Sequence, residues 1–507
     1  MKKLLHVVLC TLFFSTFAVV AASDTNAQRQ AQFADKSANQ WQTIEWSLIN
    51  PTFVDNPYDL IAKVTFVHSE TGEKRVTQMF YDENNTWKFR FTGTVPGKWT
   101  FKTTSEDTDL DEKHGTVTVT PLNTNGFVTG LGDKWLWSGS DKAFVPQLIM
   151  YASPKYFYNN PEKIDADIQT FLIEHGFNGF HVMGSCHWFD IDKLSANEID
   201  TDPNPDRRTF EAFELLIGKT HKAGGMVHIW LWGDDQRKWT PTKWGKNGAV
   251  DKRLQRYIAA RLGPLPGWTM GYGFDNFEWV NEEDLKQWHS YMHEHFGWPH
   301  LLGARAHNSK LTQIYEGLDY SSYEQWRPDY KTYVESIEKR PSKPSFSEDR
   351  FRVRQADNYA YKDYDMEMTR RGLWQSTMAG GVANIWGWLD GQDSHLGSKP
   401  YSNPEQIKTW SIFFETRFTK NLVRDNTLTD GWCLKTPDNK NLIIYKENAT
   451  SVTLDLSQTS LHHNAVAVDT KKPYHEIKIE NLTTTKQSWQ APYETDWAIA
   501  LGNLSKK

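Results

Sequence analysis

Residues Met226–Trp232 read MVHIWLW, a nearly continuous apolar run. A strand with one face in water alternates between apolar and polar residues, whereas a parallel strand covered on both faces does not alternate. The run therefore indicates a strand in the middle of an α/β domain, with other elements packed on both of its faces.

Seven more strand-like runs flank this one, and helical stretches separate them. FVPQLIMY and GFNGFHVMG precede it, and WTMGYGF, HLLGARA, LDYSSYEQW, PSFSED and GVANIWGW follow it. Helices are expected near residues 165–175, 210–223, 250–262, 282–295, 330–339, 366–378 and 404–418. Eight strands that alternate with helices over about 280 residues are typical of a (β/α)8 TIM barrel. We place this barrel at residues 123–420.

The segments before and after the barrel have a different sequence pattern. In residues 38–122, short runs rich in Val, Thr, Phe and Trp are separated by turn residues, which predicts an N-terminal β-sandwich. Residues 421–507 return to this pattern and predict a C-terminal β-sandwich. Residues 1–22 combine Lys2 and Lys3 with an apolar run that ends in small residues, as in a signal peptide. A secreted or periplasmic protein of class α/β is therefore expected.

Composition excludes several classes of protein. The chain has 507 residues, 38% of them hydrophobic and 24% charged, which is typical of a globular protein and not of a disordered or membrane protein. The net charge of -6 argues against a nucleic-acid partner. Beyond the signal peptide only Cys186 and Cys433 remain, too few for a disulfide framework. The 23 Trp residues suit sugar rings, although most are expected in the cores.

Carboxylic acids follow two of the predicted strands that face each other across the barrel. GYGFDNFEWVN places Asp275 and Glu278 after the fourth strand, and PSFSED places Glu348 after the seventh. Active sites of such barrels lie at these C-terminal strand ends. Two opposed carboxyl groups are what glycoside hydrolysis needs, one as the acid and one as the nucleophile. Glu278 could instead be the acidic start of a helix, and Glu348 could pair with Arg350 or Arg352 at the surface.

The same segments carry a resemblance to a known group of enzymes. PSFSEDRF resembles the seventh-strand nucleophile motif of retaining glycoside hydrolases with a (β/α)8 barrel, and GYGFDN is similar to the fourth-strand segment of marine agarase-type members. TVPGKWTFKTTS resembles the accessory sandwich that precedes some of these barrels. The resemblance implies that Glu348 is the nucleophile and that the acid/base is Glu278 or Asp275. Because Phe277 places Glu278 one residue later than the acid in the family's segment, the choice between Glu278 and Asp275 stays open, with Glu278 favoured.

The resemblance also implies a substrate, namely the β-glycosidic bonds of a red-algal galactan of agar or carrageenan type, sulfated or not. The partner would be a polysaccharide or its oligosaccharides, and no cofactor is implied. Arginines near the barrel mouth would suit an anionic sugar, although pairing with the site carboxylates explains them equally well.

Further residues at the predicted strand ends are candidates for substrate binding. We expect tryptophans there to stack on sugar rings and His187 and His307 to form hydrogen bonds, since no His/Asp spacing in the sequence suggested a metal site. The substrate-binding candidates are Asn276, Trp188, His187, Trp232, Asp234, Arg305, His307, Tyr323, Trp326, Arg327, Arg350, Trp386 and Trp388.

Two other functions compete with hydrolysis. A polysaccharide lyase would use a Tyr or His base beside an Arg or a metal that neutralises the substrate carboxylate, and Tyr323 with Arg327 could serve. A non-catalytic glycan-binding protein would use the flanking sandwiches and an aromatic cleft alone.

Overall fold

The computed structural model describes residues 33–233, 237–305, 315–351, 366–387, 400–401, 403–459 and 464–502, without the side chains of Arg350 and Met366. Within these ranges, every helix is too short or too polar to cross a bilayer. The predicted signal peptide lies outside the described residues.

Two mainly antiparallel sheets form the N-terminal part of the chain. One sheet has the order β1-β8-β7-β3-β4 and the other has the order β2-β6-β5. Their facing sides enclose an aromatic core in which Trp46 stacks on Phe89. Arg90 of this region forms an ion pair of 2.8 Å with Glu214 of the barrel. The strands are β1 (Lys36–Asn39), β2 (Thr43–Ile49), β3 (Ala62–His68), β4 (Lys74–Gln78), β5 (Phe80–Tyr81), β6 (Thr86–Thr92), β7 (Gly97–Ser105) and β8 (His114–Thr120).

A small three-stranded sheet, which the sequence did not predict, follows the sandwich. Its order is β11-β10-β9, built from β9 (Val128–Leu131), β10 (Lys134–Trp137) and β11 (Lys142–Phe144). Trp135 of β10 packs against Phe346 and donates a hydrogen bond of 3.3 Å to the carbonyl of Ser345, the first residue of a barrel strand. The sheet therefore covers the end of the barrel opposite to the predicted site.

The barrel itself is confirmed: eight parallel strands form one nearly closed sheet in the order β16-β15-β14-β13-β12-β19-β18-β17. The seam lies between β16 and β17, which share no strand ladder in the described residues. The main chains of Asp319 and Leu302 still meet there, through a hydrogen bond of 2.9 Å from the Asp319 N–H to the Leu302 carbonyl. The barrel strands are β12 (Gln147–Met150), β13 (Gly179–Met183), β14 (Met226–Trp232), β15 (Trp268–Gly273), β16 (Leu302–Gly303), β17 (Ser321–Tyr323), β18 (Ser345–Phe351) and β19 (Ala383–Trp386).

Helices surround the barrel close to where the sequence predicts them. The predicted helix at 165–175 is an α-helix that continues as a π-helix over Ile168–His175. Side-chain caps begin several helices: Asn281 and Asp284, for example, form a capping box. The described residues between β16 and β17 contain no helix. The α-helices are α1 (Pro154–Asn159), α2 (Pro161–Asp167), α3 (Arg207–Lys222), α4 (Ala249–Leu262), α5 (Glu282–Phe296), α6 (Tyr330–Lys339), α7 (Met366–Met378) and α8 (Pro404–Phe414).

The C-terminal strands form one six-stranded antiparallel sheet in the described residues, where two sheets were predicted. Its long central strand is bulged near Ala449, and bulges bend a strand so that one sheet can curve over its own core. The other face packs on the barrel, where Tyr445 stacks on Trp374. The strands are β20 (Val423–Arg424), β21 (Trp432–Lys435), β22 (Leu442–Asp455), β23 (Ala465–Asp469), β24 (Ile477–Lys478) and β25 (Lys486–Leu501).

A buried acid in the first turn of α4 makes the stability of the fold depend on pH. Asp251 is 1% exposed and accepts a hydrogen bond of 2.7 Å from the Asn247 N–H. Burial raises the pKa of this carboxyl from 3.8 to about 6. The folded protein therefore binds the proton more tightly than the unfolded chain does, so stability falls as pH rises from about 4 to about 6 and stays lower above.

Asp251→Asn, which stays neutral, should flatten this dependence and should be more stable than the wild type at about pH 8. Urea unfolding at about pH 4 and about pH 8 measures both chains. An equal change with pH in the two chains would contradict the assignment.

Candidate active site

Glu348 lies inside the barrel and is completely buried. Its Oε1 atom lies 2.6 Å from Nε1 of Trp230, 3.1 Å from Nε2 of His228 and 3.4 Å from Oη of Tyr320. The hydroxyl of Ser322 donates to its Oε2. An ionised carboxylate only accepts hydrogen bonds, and these four groups can all donate. The barrel thus surrounds one carboxylate with matched donors.

One arrangement of protons in this cluster fits its contacts. Nδ1 of His228 lies 2.9 Å from Nδ1 of His181, so one of these nitrogens donates and the other accepts. If His228 donates from Nε2 to the Glu348 carboxylate, its Nδ1 is the acceptor in a neutral ring. His181 then donates from its own Nδ1. Two neutral histidines and one ionised glutamate satisfy every one of these contacts.

Gly271 makes room for the Glu348 side chain. A Cβ atom on Gly271 would overlap Oε1 of Glu348 and would lie 2.9 Å from Cδ1 of Trp230. Glycine is used where a backbone must approach another group closely. The first glycine of GYGFDN therefore leaves the space that the Glu348 side chain of the seventh strand occupies.

An arginine joins the ends of three strands. Arg305, two residues after β16, is 3% exposed and forms ion pairs with Asp275 after β15 and with Asp349 of β18, the latter at 3.0 Å. Its guanidinium group also lies 5.8 Å from the ring centroid of Trp230, which donates to Glu348. Buried charges are tolerated when they are paired, and here one guanidinium pairs with two carboxylates, one of which also pairs with Arg237.

The fourth-strand acids occupy different environments. Asp275 has a left-handed backbone (φ of 51°), and it begins a 3-10 turn over Asn276–Glu278. This turn absorbs the extra Phe277 and brings Glu278 to the rim, where its side chain is 41% exposed, against 25% for Asp275. Arg237 pairs with both acids, at 2.9 Å from Asp275. Asp275 therefore contacts two guanidinium groups and Glu278 contacts one.

Residues 37–106 match a family described as a domain of unknown function, DUF5060. No curated protein matches the chain. Among solved structures, a proposed glycoside hydrolase from Bacteroides vulgatus ATCC 8482 has a TM-score of 0.75 at 17% identity, and the alignment covers 92% of this chain and 99% of that one. A family 5 glycoside hydrolase from the same organism has a TM-score of 0.53 at 13% identity, over 75% and 94%. At these identities the similarity shows a shared fold.

Asn276 is fully buried beside these acids. Its Nδ2 donates 2.9 Å to the carbonyl of Gly273, while its Oδ1 is buried and has no hydrogen-bond partner among the described residues. The sequence makes Asn276 a candidate for a sugar contact or for a turn residue, and its amide closes the turn that follows β15.

Four aromatic residues predicted to bind substrate face the helices instead. Trp188 stacks on Phe213 of α3, and Trp232, Tyr323 and Trp386 are all at most 1% exposed. Tyr323 and Trp386 are next to residues that point into the barrel, and alternation along a strand turns them to the opposite face. These rings form the core and offer no open face to a sugar, which corrects the expectation of stacking for Trp188 and Trp232 and the expectation of a substrate contact for Tyr323 and Trp386.

The remaining candidates are at the rim or outside the described residues. Trp326 and Arg327 are exposed after β17, and the Trp326 indole N–H donates 2.8 Å to the buried Glu324. His187 is 6% exposed in the short 3-10 helix Ser185–Trp188. The predictions on Asp234, His307 and Trp388, and on the side chain of Arg350, fall outside the described residues.

The residues that surround Glu348 were not predicted from the sequence. His228 and Trp230 are two residues apart in MVHIWLW, and Tyr320 and Ser322 are two apart in DYSSY. Residues at this spacing share one face of a strand. Two residues with polar groups at this spacing, within an otherwise apolar run, were the sequence signal that could have indicated a site inside the barrel.

Gly271→Ala should lower the free energy of unfolding by about 1–3 kcal/mol, because overpacking a dense interior has this order of cost. Gly218→Ala is a matched control within α3, where an added Cβ has no heavy atom within 4 Å and should be neutral or stabilising. Denaturant unfolding of both variants measures the difference. Equal stabilities would show that Gly271 is not needed beside Glu348.

Proposed function

We propose that the protein is a secreted glycoside hydrolase that cleaves a polysaccharide or its oligosaccharides with retention of configuration. The observation that carries the proposal is that Glu348, on the seventh strand, is held by donors from neighbouring strands, in a barrel whose fourth strand is followed by two further acids. Active sites on this fold lie at these strand ends. The similarity in fold to structures described as glycoside hydrolases supports the same class of reaction.

In this proposal Glu348 is the nucleophile. Its carboxylate attacks the anomeric carbon as the bond from that carbon to the leaving oxygen breaks, giving a glycosyl-enzyme intermediate. The donors Trp230, Ser322 and Tyr320 fix the orientation of the carboxylate before substrate arrives. Preorganised groups need little rearrangement during the reaction.

Glu278 is the better candidate for the acid/base. The acid must carry a proton when it meets the leaving oxygen, and a neighbouring positive charge favours the ionised form of a carboxyl group. Asp275 contacts both Arg237 and Arg305, whereas Glu278 contacts Arg237 alone at the exposed rim. Glu278 would protonate the leaving oxygen and then take a proton from the water that releases the sugar.

For the substrate we propose a β-linked galactan of agar or carrageenan type, supported by the resemblance of GYGFDN and PSFSEDRF. The arginines add less support for a sulfated sugar than the sequence suggested. Arg237 and Arg305 are paired with the site carboxylates, so their charge is already balanced within the protein. Among the alternatives, a lyase loses its candidate base, because Tyr323 is buried towards the helices with its hydroxyl on Gln325.

Glu348→Gln should reduce the release of reducing sugar by at least about 10⁴-fold, because it removes the nucleophile. Asp349→Asn is a matched control on the next residue, and it should retain more activity because it only loosens the pair with Arg305. A panel of algal and plant polysaccharides, with reducing ends quantified, measures both. Activity of Glu348→Gln close to that of Asp349→Asn would overturn the nucleophile, and no release by the wild type would favour a glycan-binding protein.

Glu278→Ala should lose most activity on a polysaccharide and keep activity on an aryl glycoside with a good leaving group, because such a group departs without protonation. Asp275→Asn is the comparison, because the substitution keeps the size of the side chain and is compatible with the turn that begins at this residue. The reverse pattern, with Asp275→Asn selectively sparing the activated substrate, would assign the acid/base to Asp275.

A further inference from the structure

Two histidines lie one turn apart on α5, away from Glu348 and its donors. His289 and His293 belong to the segment WHSYMHEHF, and residues four apart share one face of a helix. Nε2 of His289 lies 3.1 Å from Oδ1 of Asp319, and Nε2 of His293 lies 2.8 Å from Oδ2 of Asp319. Both imidazoles thus converge on one carboxylate from a different part of the chain.

Asp319 lies at the seam of the barrel. Its N–H donates to the Leu302 carbonyl at 2.9 Å, and its Oδ2 accepts from the Leu302 N–H at 2.8 Å. Its neighbours Tyr320 and Ser322 carry two of the hydroxyls that hold Glu348. The position of Asp319 therefore affects both the seam and the strand that begins two residues later.

We propose that His289, His293 and Asp319 bind a divalent transition metal ion, Zn²⁺ by preference, and that the ion fastens α5 to the barrel seam. One ligand atom from each residue lies within 4.8 Å of the others. Ligand atoms of a tetrahedral zinc site are about 3.3 Å apart, given Zn–N and Zn–O distances of about 2.0–2.2 Å. The spacings of 3.1 Å from His289 to Oδ1 and 2.8 Å from His293 to Oδ2 are close to this value, so each imidazole has a carboxylate oxygen of Asp319 at ligand distance.

The chemistry of the three ligands suits zinc. Neutral imidazole nitrogens and a carboxylate oxygen are among its preferred donors, and water can complete four-coordination. Nε2 of each imidazole lies within hydrogen-bond distance of the Asp319 carboxylate. A bound ion takes the place of the protons shared across these two contacts.

None of the three ligands belongs to the cluster around Glu348, so zinc binding and hydrolysis can be measured separately. No His/Asp spacing in the sequence suggested a metal site. The H-x-x-x-H spacing of His289 and His293 was present, but the third ligand becomes visible only once the barrel brings the seam against α5.

The test uses the full-length, tag-free protein stripped with a chelator and titrated with ZnCl₂ by calorimetry, with bound zinc quantified by mass spectrometry after desalting. The wild type should bind one Zn²⁺ through this site, and zinc should raise its melting temperature. His293→Gln and Asp319→Asn should each weaken binding by at least about 100-fold. His295→Gln is the matched control, because His295 is on the same helix and contacts the Tyr291 carbonyl instead.

The proposal is supported if zinc binds the wild type and His295→Gln alike and fails to stabilise His293→Gln. It is overturned if the wild type shows no saturable zinc binding, or if His293→Gln binds as tightly as His295→Gln. Near-UV circular dichroism of the metal-free variants should match that of the wild type, which separates a loss of binding from a loss of structure.

Discussion

The burial of the Glu348 carboxylate constrains the rest of the barrel. An ionised carboxyl group in a protein interior is costly unless hydrogen-bond donors replace water. Those donors come from fixed positions on two strands, Trp230 and His228 on β14, and Ser322 on β17 with Tyr320 just before it. On β15, Gly271 leaves the space. A shift of one residue in any of these strands would turn its side chains to the opposite face. The site around Glu348 therefore forms only when the strands pair in this register.

A second set of charges lies between this cluster and the rim. Arg305 balances Asp275 and Asp349 while contacting the ring of Trp230. Arg237 connects Asp275 with Glu278 nearer to solvent. The acids of the fourth strand are thereby separated in role: Asp275 belongs to a buried ion-pair network, and Glu278 remains at the surface where a leaving group could reach it. The pairing also explains why arginines are abundant here without requiring an anionic substrate.

The sequence was sufficient for the strands and helices of the barrel because their apolar runs are local signals. MVHIWLW reads as a fully covered strand from composition alone. It was not sufficient for the direction of individual side chains. Trp386 and Tyr323 were expected in the cleft, yet each is at a position that faces the helices. The donors of Glu348 were missed because their roles depend on contacts between strands far apart in the chain, such as the 118 residues that separate Trp230 from Glu348. The single C-terminal sheet likewise depends on bulges that leave no clear sequence signal.

The central claim is that Glu348, and not an adjacent acid, forms the covalent bond to the sugar. The most direct measurement is to trap the intermediate with an activated 2-deoxy-2-fluoroglycoside of the sugar that the protein releases, and to locate the label by peptide mass spectrometry. We predict one added glycosyl group, attached to Glu348. A label on Asp349 or Asp275, or rapid turnover of natural substrate with no trapped intermediate and inverted products, would contradict the account.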